Sequence, residues 1–119
     1  MLPELKFNKE MFRALSEGRK TVTRRKDPKD ICGGLYVTAV CTETGEMTMI
    51  KCTDKYSQRV SEMTETDAKK EGFGNLEGFR NEIEKIYGRE YLEKDPIMWV
   101  YEFILIGKTV PCTVRDNEP

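Results

Sequence analysis

The chain of 119 residues contains no histidine. This absence excludes Ser-His-Asp and Cys-His catalysis, zinc sites with histidine ligands, and pH switching by an imidazole. The cysteines are few and include no Cys-x-x-Cys pair, so no cysteine-ligated zinc site and no other metal or cofactor is expected. Because nothing in the sequence indicates export, we predict thiols that act as small buried hydrophobic residues, at Cys32, Cys41, Cys52 and Cys112.

Long apolar runs and an excess of one charge sign are also missing. No apolar stretch approaches the ~20 residues of a membrane-spanning helix, and the start, MLPELKFNKE, lacks the pattern of a secretion signal. We therefore expect a cytoplasmic protein that does not contact membranes. The formal net charge of −1 provides no overall field that would attract nucleic acid. The length predicts one domain over residues 1–119, with a core at about 5–106 and a polar tail at 107–119.

Capping residues and apolar spacing in the first half predict a helix followed by strands. Asn8 is a good N-cap, and Gly18 stands where a left-handed residue ends a helix. Residues 35–41 and 46–53 are rich in Val, Thr and Ile, which predicts two strands of a hairpin, and residues 56–60 are interpreted as a third extended piece.

The second half predicts two short helices and a long strand. Thr64 and Asp67 form a capping-box pattern before a helix that ends at Gly72. A second helix is predicted from Asn75 to Gly88, with an apolar face of Leu76, Phe79, Ile83, Ile86 and Tyr87. Residues 97–106 are apolar on both alternating faces except at Glu102, which predicts a central strand covered on both sides, with Trp99 in the core.

Charge is segregated along the chain despite the neutral total. Residues 19–30 contain six basic and two acidic residues, whereas residues 61–95 contain ten acidic and six basic ones. A loop with a net charge of +4 attracts anions and could hold one or two phosphates. The alternative is an ordinary solvated loop.

The segment GRKTVTRR combines lysine, arginine and hydroxyl donors, which suit a ligand that carries both phosphate and carbonyl oxygens. A regular strand would place Lys20 and Thr23 on opposite faces. For both to contact one ligand, the backbone must turn near residues 18–22. Backbone N–H groups just past Gly18 could then form an oxyanion hole.

The pattern Gly18-x-Lys20-x-x-Thr23-x-Arg25 resembles the signature of ASCH domains, which belong to the PUA-like superfamily. The resemblance continues in RVSEMTETDAKKEGFGNLEGF, which is similar to the middle of the family, and in WVYEF, which is similar to its closing strand. It covers about residues 5–106. The resemblance implies an α+β fold, a small mixed β-barrel with flanking short helices, and a cleft for a nucleobase or short RNA.

The resemblance to one branch of the family, the N4-acetylcytidine amidohydrolases, implies removal of an acetyl group from the cytosine amine without a metal. Carried over to this chain, its catalytic lysine would be Lys20, its threonine nucleophile Thr23 and its glutamate Glu71. We expect Glu71 to act as a proton shuttle or as an acceptor for the base's amine, because a carboxylate touching Lys20 would raise its pKa. Burial, or the nearby arginines, would lower that pKa. The expected substrate- or phosphate-binding residues are Gly18, Arg19, Thr21, Arg24, Arg25 and Phe73, with Tyr56 and Tyr36 as further candidates for base stacking.

Departures from the branch leave other functions open. Arg24 occupies a position that is apolar in the branch, Gly33-Gly34-Leu35 replaces a Pro-Gly-Asp, and residues 89–96 are additional. The Thr-Arg-Arg form is similar to ASCH proteins of phages and mobile elements. The alternatives are a non-catalytic module that binds RNA or a modified base, a ribonuclease, and a protein-interaction role for residues 61–95. We expect a monomer that acts on a nucleoside or on RNA.

Overall fold

A five-stranded mixed sheet forms the centre of the structure, a computed structural model that describes residues 2–31 and 33–108. The strand order is β1-β3-β4-β5-β2; β1 and β3 are parallel, and the other neighbours are antiparallel. The α+β class predicted from the sequence is confirmed. The strands are β1 Glu4–Phe7, β2 Val22–Arg25, β3 Tyr36–Cys41, β4 Met47–Arg59 and β5 Ile97–Lys108.

The sheet is not closed, so the expectation of a β-barrel is wrong in this respect. Strands β1 and β2 form the two edges, and within the described ranges they do not pair with each other. Two irregularities in the β4–β5 ladder, at Met49/Ile50 and Cys52/Asp54, are of the kind that bends a sheet. The edges are joined by a side chain instead, because Arg25 Nη2 on β2 donates to the Lys6 carbonyl on β1 at 2.9 Å.

The predicted helix caps are confirmed. The Asn8 side chain accepts from the Met11 N–H, Thr64 and Asp67 form a reciprocal capping box, and Asn75 accepts from the Gly78 N–H. No helix in the described part of the chain is both long and apolar enough to cross a membrane. The helices are α1 Lys9–Ser16, α2 Glu65–Lys70, α3 Leu76–Tyr87 and α4 Arg89–Glu93, and a single 3-10 turn spans Val60–Glu62.

Some elements differ from the sequence prediction. Residues 56–60 are not a separate piece, because most of them continue β4. Strand β5 lies between β4 and β2, as predicted for a central strand, but Ile97 and residues 104–106 are exposed, so its two ends are not covered on both sides. On α3, Phe79 and Ile83 are buried whereas Ile86 is exposed.

The core consists of two clusters of buried side chains. The first packs α1 against the sheet and includes Leu15, Ile50 and Tyr101; the second joins the helices α2, α3 and α4 to Met98 of β5. Cys41 and Cys52 are buried in the first cluster, as predicted, and Trp99 packs at its edge. Cys32 and Cys112 lie outside the described residues. The candidate site lies between the clusters.

Candidate functional site

A cavity of about 130 Å³ opens between strands β1 and β2 and helix α3. This is close to the ~150 Å³ of a protein cavity that accepts one benzene ring. Its apolar wall comes from both core clusters, whereas its polar wall comes mainly from β2 and the end of α2. The apolar wall includes Phe7, Phe73, Phe79, Ile83 and Tyr87, and the polar wall includes Lys20, Thr23, Arg24, Arg25 and Glu71.

The backbone turn predicted near residues 18–22 is present. Gly18 has φ +81°, and the N–H groups of Arg19 and Lys20 both donate to the Ala14 carbonyl, at 2.8 and 3.1 Å. The next N–H, of Thr21, donates to the Lys70 carbonyl at 2.8 Å and so fixes this segment to the end of α2. These N–H groups are therefore already engaged, which corrects the expectation that they form an oxyanion hole.

Lys20 and Glu71 meet in the buried polar wall. Lys20 Nζ donates to Glu71 Oε1 at 2.9 Å and to the Glu71 carbonyl at 2.8 Å, and each side chain is 3% exposed. The other carboxylate oxygen, Oε2, accepts from Arg24 Nη1 at 2.6 Å. Glu71 is thus a direct ion-pair partner of Lys20 and of Arg24. This differs from the expectation of a shuttle that stands apart from the lysine.

Burial lowers the pKa of Lys20 below the usual value for lysine. The Glu71 carboxylate acts in the opposite direction, and the positive charges of Arg25 and Arg24 lower the pKa further. Burial is the largest of these influences, and the net direction is downward. The Lys20 ammonium therefore loses its proton more easily than a lysine in water.

Thr23 lines the same cavity as Lys20 and Glu71 and is 4% exposed. It lies on the edge strand β2, opposite Tyr101 of β5. Its hydroxyl forms no hydrogen bond with another group in residues 2–31 or 33–108. The hydroxyl can therefore interact with a ligand without first losing a protein partner.

The two arginines of β2 are also part of the polar wall. Arg24 Nη2 donates to Gln58 Oε1, and the Arg25 guanidinium lies 4.9 Å from the centre of the Phe7 ring. The Nε atoms of both arginines are buried and have no hydrogen-bond partner among the described residues. Phe73 lines the cavity and packs edge-on against Phe79, with 5.7 Å between ring centres.

Three of the expected binding residues lie outside the cavity wall. Gly18 forms the turn, Thr21 is tied to α2 through its backbone, and the exposed Arg19 pairs with Glu17 at 2.6 Å. Of the stacking candidates, Tyr36 is exposed on β3. Tyr56 donates its hydroxyl to Glu102 Oε2 at 3.0 Å and does not line the cavity.

Sequence reasoning missed several residues of the site. Lys6 and Phe7 line the cavity from β1, and Gln58 holds Arg24 from β4. The alternating pattern of ELKF could have indicated β1, but nothing local predicts that Gln58 faces Arg24. Among the described residues, no group of acidic and cysteine side chains is arranged to hold a metal ion.

The structure is similar to solved ASCH-domain structures. A crystal structure from Enterococcus faecalis V583, assigned to family DUF984, has a TM-score of 0.71 at 14% identity, with 93% of this chain and 84% of the other covered. The ASCH domain of Lactobacillus crispatus JV V101 has a TM-score of 0.71 at 13% identity, with 89% and 80% covered. The ASCH protein of Zymomonas mobilis has a TM-score of 0.57 at 15% identity, with 98% and 80% covered.

The chain therefore has the ASCH-domain fold, as the sequence resemblance implied. No family sequence model matches the chain, and no curated protein is significantly similar to it in sequence. At these identities the similarity concerns the fold, and any function must be argued from the site itself.

Proposed function

We propose that this protein is a metal-independent amidohydrolase that removes the acetyl group from N4-acetylcytidine-type nucleosides. The observation that carries the proposal is the buried Lys20–Glu71 pair in the wall of a cavity of single-ring size that Thr23 also lines. A lysine next to a hydroxyl nucleophile is an established alternative to the histidine-based triad. Because the chain lacks histidine, the proposal assigns the role of the base to Lys20.

In the proposed first half-reaction, Thr23 Oγ1 attacks the acetyl carbonyl carbon, and the hydroxyl proton passes to the neutral amine of Lys20. The ammonium formed on Lys20 and the positive charge of the cavity wall stabilise the oxyanion. The bond between the carbonyl carbon and the cytosine nitrogen then breaks. The departing nitrogen takes the proton from Lys20, and the acetyl group remains on Thr23 as an ester.

In the second half-reaction, water attacks the threonyl ester while Lys20 again accepts the proton. Collapse of the intermediate returns that proton to Thr23 and releases acetic acid, which ionises to acetate. Glu71 orients the Lys20 amine through its contacts of 2.8 and 2.9 Å. The cytosine ring would occupy the apolar wall near Phe73, where ring stacking does not depend on base sequence.

The test is hydrolysis of N4-acetylcytidine, followed by chromatographic measurement of cytidine. We expect the wild-type protein to form cytidine and Lys20→Met to be slower by about 100-fold or more, the usual effect of losing a general base. Lys26→Met is the matched control, because Lys26 is exposed and does not line the cavity. Equal rates of hydrolysis by the wild type and Lys20→Met would contradict the proposal. This includes the case in which both proteins are inactive.

A second candidate is a non-catalytic module that binds RNA or a modified base. It is favoured by the basic segment 19–30, in which Arg19, Lys26 and Lys29 are exposed. Such a module would bind single-stranded RNA with an affinity that falls as the salt concentration increases. The substitutions Arg24→Ala and Arg25→Ala would each lower this affinity as well. Thr23→Ser would scarcely affect this binding. Fluorescence anisotropy at low ionic strength tests it, and the absence of salt-sensitive binding would rule it out.

A further inference from the structure

The charges that line the cavity are unbalanced. Four basic side chains, of Lys6, Lys20, Arg24 and Arg25, face two acidic ones, of Glu71 and Glu82. Both oxygens of Glu71 are already occupied by Lys20 and Arg24. Within residues 2–31 and 33–108, Glu82 forms no ion pair. Arg25 therefore contributes a positive charge to the cavity without a carboxylate partner.

The unpaired charge coincides with unused hydrogen-bond donors. The Arg24 side chain is 2% exposed, and its two terminal nitrogens donate to Glu71 and Gln58, but its Nε has no partner in the described part of the chain. Arg25 donates from Nη2 to the Lys6 carbonyl, and its Nε is likewise buried and unpartnered. Buried N–H groups in folded proteins are nearly always hydrogen-bonded. Two consecutive arginines that line one cavity thus each have an unused donor, which points to a missing acceptor.

We propose that the natural substrate carries a phosphate group on the nucleoside, and that the Nε donors of Arg24 and Arg25 form the subsite that receives it. An anion explains both observations together, because it balances the excess charge and accepts the unused N–H groups. An uncharged acceptor, such as a carbonyl oxygen of the base, would use the donors but leave the charge unbalanced. This inference rests on the proposed function for its choice of nucleoside, but its test measures binding alone.

Calorimetry with the Thr23→Val protein tests this inference without turnover. The ligands are cytidine, cytidine 5′-monophosphate, cytidine 3′-monophosphate and a single-stranded cytidine trinucleotide, with inorganic phosphate as a competitor. We expect at least one phosphate-bearing ligand to bind about tenfold or more tightly than cytidine, since charge-assisted hydrogen bonds are the strong ones. The ranking of the three phosphate-bearing ligands by affinity identifies whether the phosphate belongs to a nucleotide or to RNA.

Two variants locate the phosphate subsite. Adding Arg25→Gln to Thr23→Val is expected to reduce the preference for phosphate-bearing ligands to less than about threefold, while adding Arg80→Gln, at an exposed position outside the cavity wall, leaves it unchanged. Equal binding of cytidine and all phosphate-bearing ligands overturns the inference, whatever the Arg25 variant does. A preference that survives Arg25→Gln in a folded protein also overturns it. A clear preference together with no hydrolysis would refute the proposed function and leave the phosphate subsite standing.

Discussion

At the scale of single residues, Glu71 is the centre of the polar wall. It is the buried anion that touches Lys20 through one oxygen and Arg24 through the other. Buried ion pairs of this kind add little net stability, but removing one partner leaves uncompensated buried charge. Glu71 is thus expected to be far more sensitive to substitution than an ordinary surface glutamate.

We predict that Glu71→Gln lowers the free energy of unfolding by about 3 kcal/mol, because two buried cations lose their counter-charge while the side-chain shape is kept. Urea denaturation at neutral pH measures this loss. Glu93→Gln, at an exposed position, is the control and should change stability by less than about 0.5 kcal/mol. Equal effects of the two substitutions would show that the Glu71 ion pairs are not formed in solution.

Tyr56 provides a separate test at alkaline pH. Partial burial, with the hydrogen bond to Glu102, raises the pKa of Tyr56 to about 12. Because the unfolded-state pKa is about 10, the stability that Tyr56 contributes is fully present below about pH 10 and is lost as the pH rises towards 12. The stability difference between the wild type and Tyr56→Phe should shrink across this range.

Urea unfolding at several pH values between about 9 and 12 measures that difference, with Tyr36→Phe, which removes an exposed hydroxyl, as the control. A difference for Tyr56→Phe that stays constant across the range would contradict a raised pKa for Tyr56.

Which residues form the site could be predicted only in part from the sequence. Lys20, Thr23 and Arg25 lie within one short segment, so their proximity is local and their spacing carries the signal. Glu71 is 51 positions from Lys20, and its place came from the family resemblance. That it contacts Lys20 directly depends on the Thr21–Lys70 backbone hydrogen bond, a tertiary contact that no local pattern encodes.

At the scale of elements, the short connection after α2 determines how closely Lys20 and Glu71 approach. Gly72 has φ +101°, and a Cβ added there would lie 3.2 Å from Ala14 Cβ and 3.4 Å from Lys20 Cβ. The absence of a side chain therefore lets the end of α2 pack directly against the segment that carries Lys20. Glu71 is the C-cap of helix α2 and directly precedes Gly72, so this close packing brings Glu71 near Lys20.

We predict that Gly72→Ala destabilises the protein by about 1–3 kcal/mol and lowers the rate of hydrolysis, because strain and crowding both displace Lys20. Gly45→Ala is the matched control: Gly45 has φ +79°, but apart from its chain neighbours no atom of the described residues lies within 4 Å of an added Cβ. Thermal unfolding and the cytidine assay measure both variants. Loss of activity in Gly45→Ala, or full activity in Gly72→Ala, would contradict this role.

The sequence predicts the start of a helix well, because one capping residue determines it. It predicts short strands poorly, because a strand depends on the neighbouring strands with which it pairs. Caps at Asn8, Thr64 and Asn75 are local hydrogen bonds, and all three were predicted from the sequence. Strands β1 and β2 have four residues each and lie in charged surroundings, so their own pattern is weak. They are strands because β3 and β5 supply the backbone partners.

At the scale of the whole molecule, the open sheet creates the site. A fully closed barrel would pair β1 with β2, but here these edges remain separate and Arg25 spans them. The space between the edges forms the cavity, and helix α3 and the end of α2 supply further parts of its wall. The sequence resemblance predicted the ASCH-domain fold but implied a barrel, and so did not predict the separation of the edges.

The most direct test of the proposed amidohydrolase compares Thr23→Ser with Thr23→Val in the hydrolysis of N4-acetylcytidine. Valine keeps the shape of threonine but has no hydroxyl, whereas serine keeps the hydroxyl. We predict that Thr23→Ser retains about a tenth or more of wild-type kcat/KM and that Thr23→Val loses about 100-fold or more. A Thr23→Val protein that folds normally and forms cytidine at the wild-type rate would contradict the account.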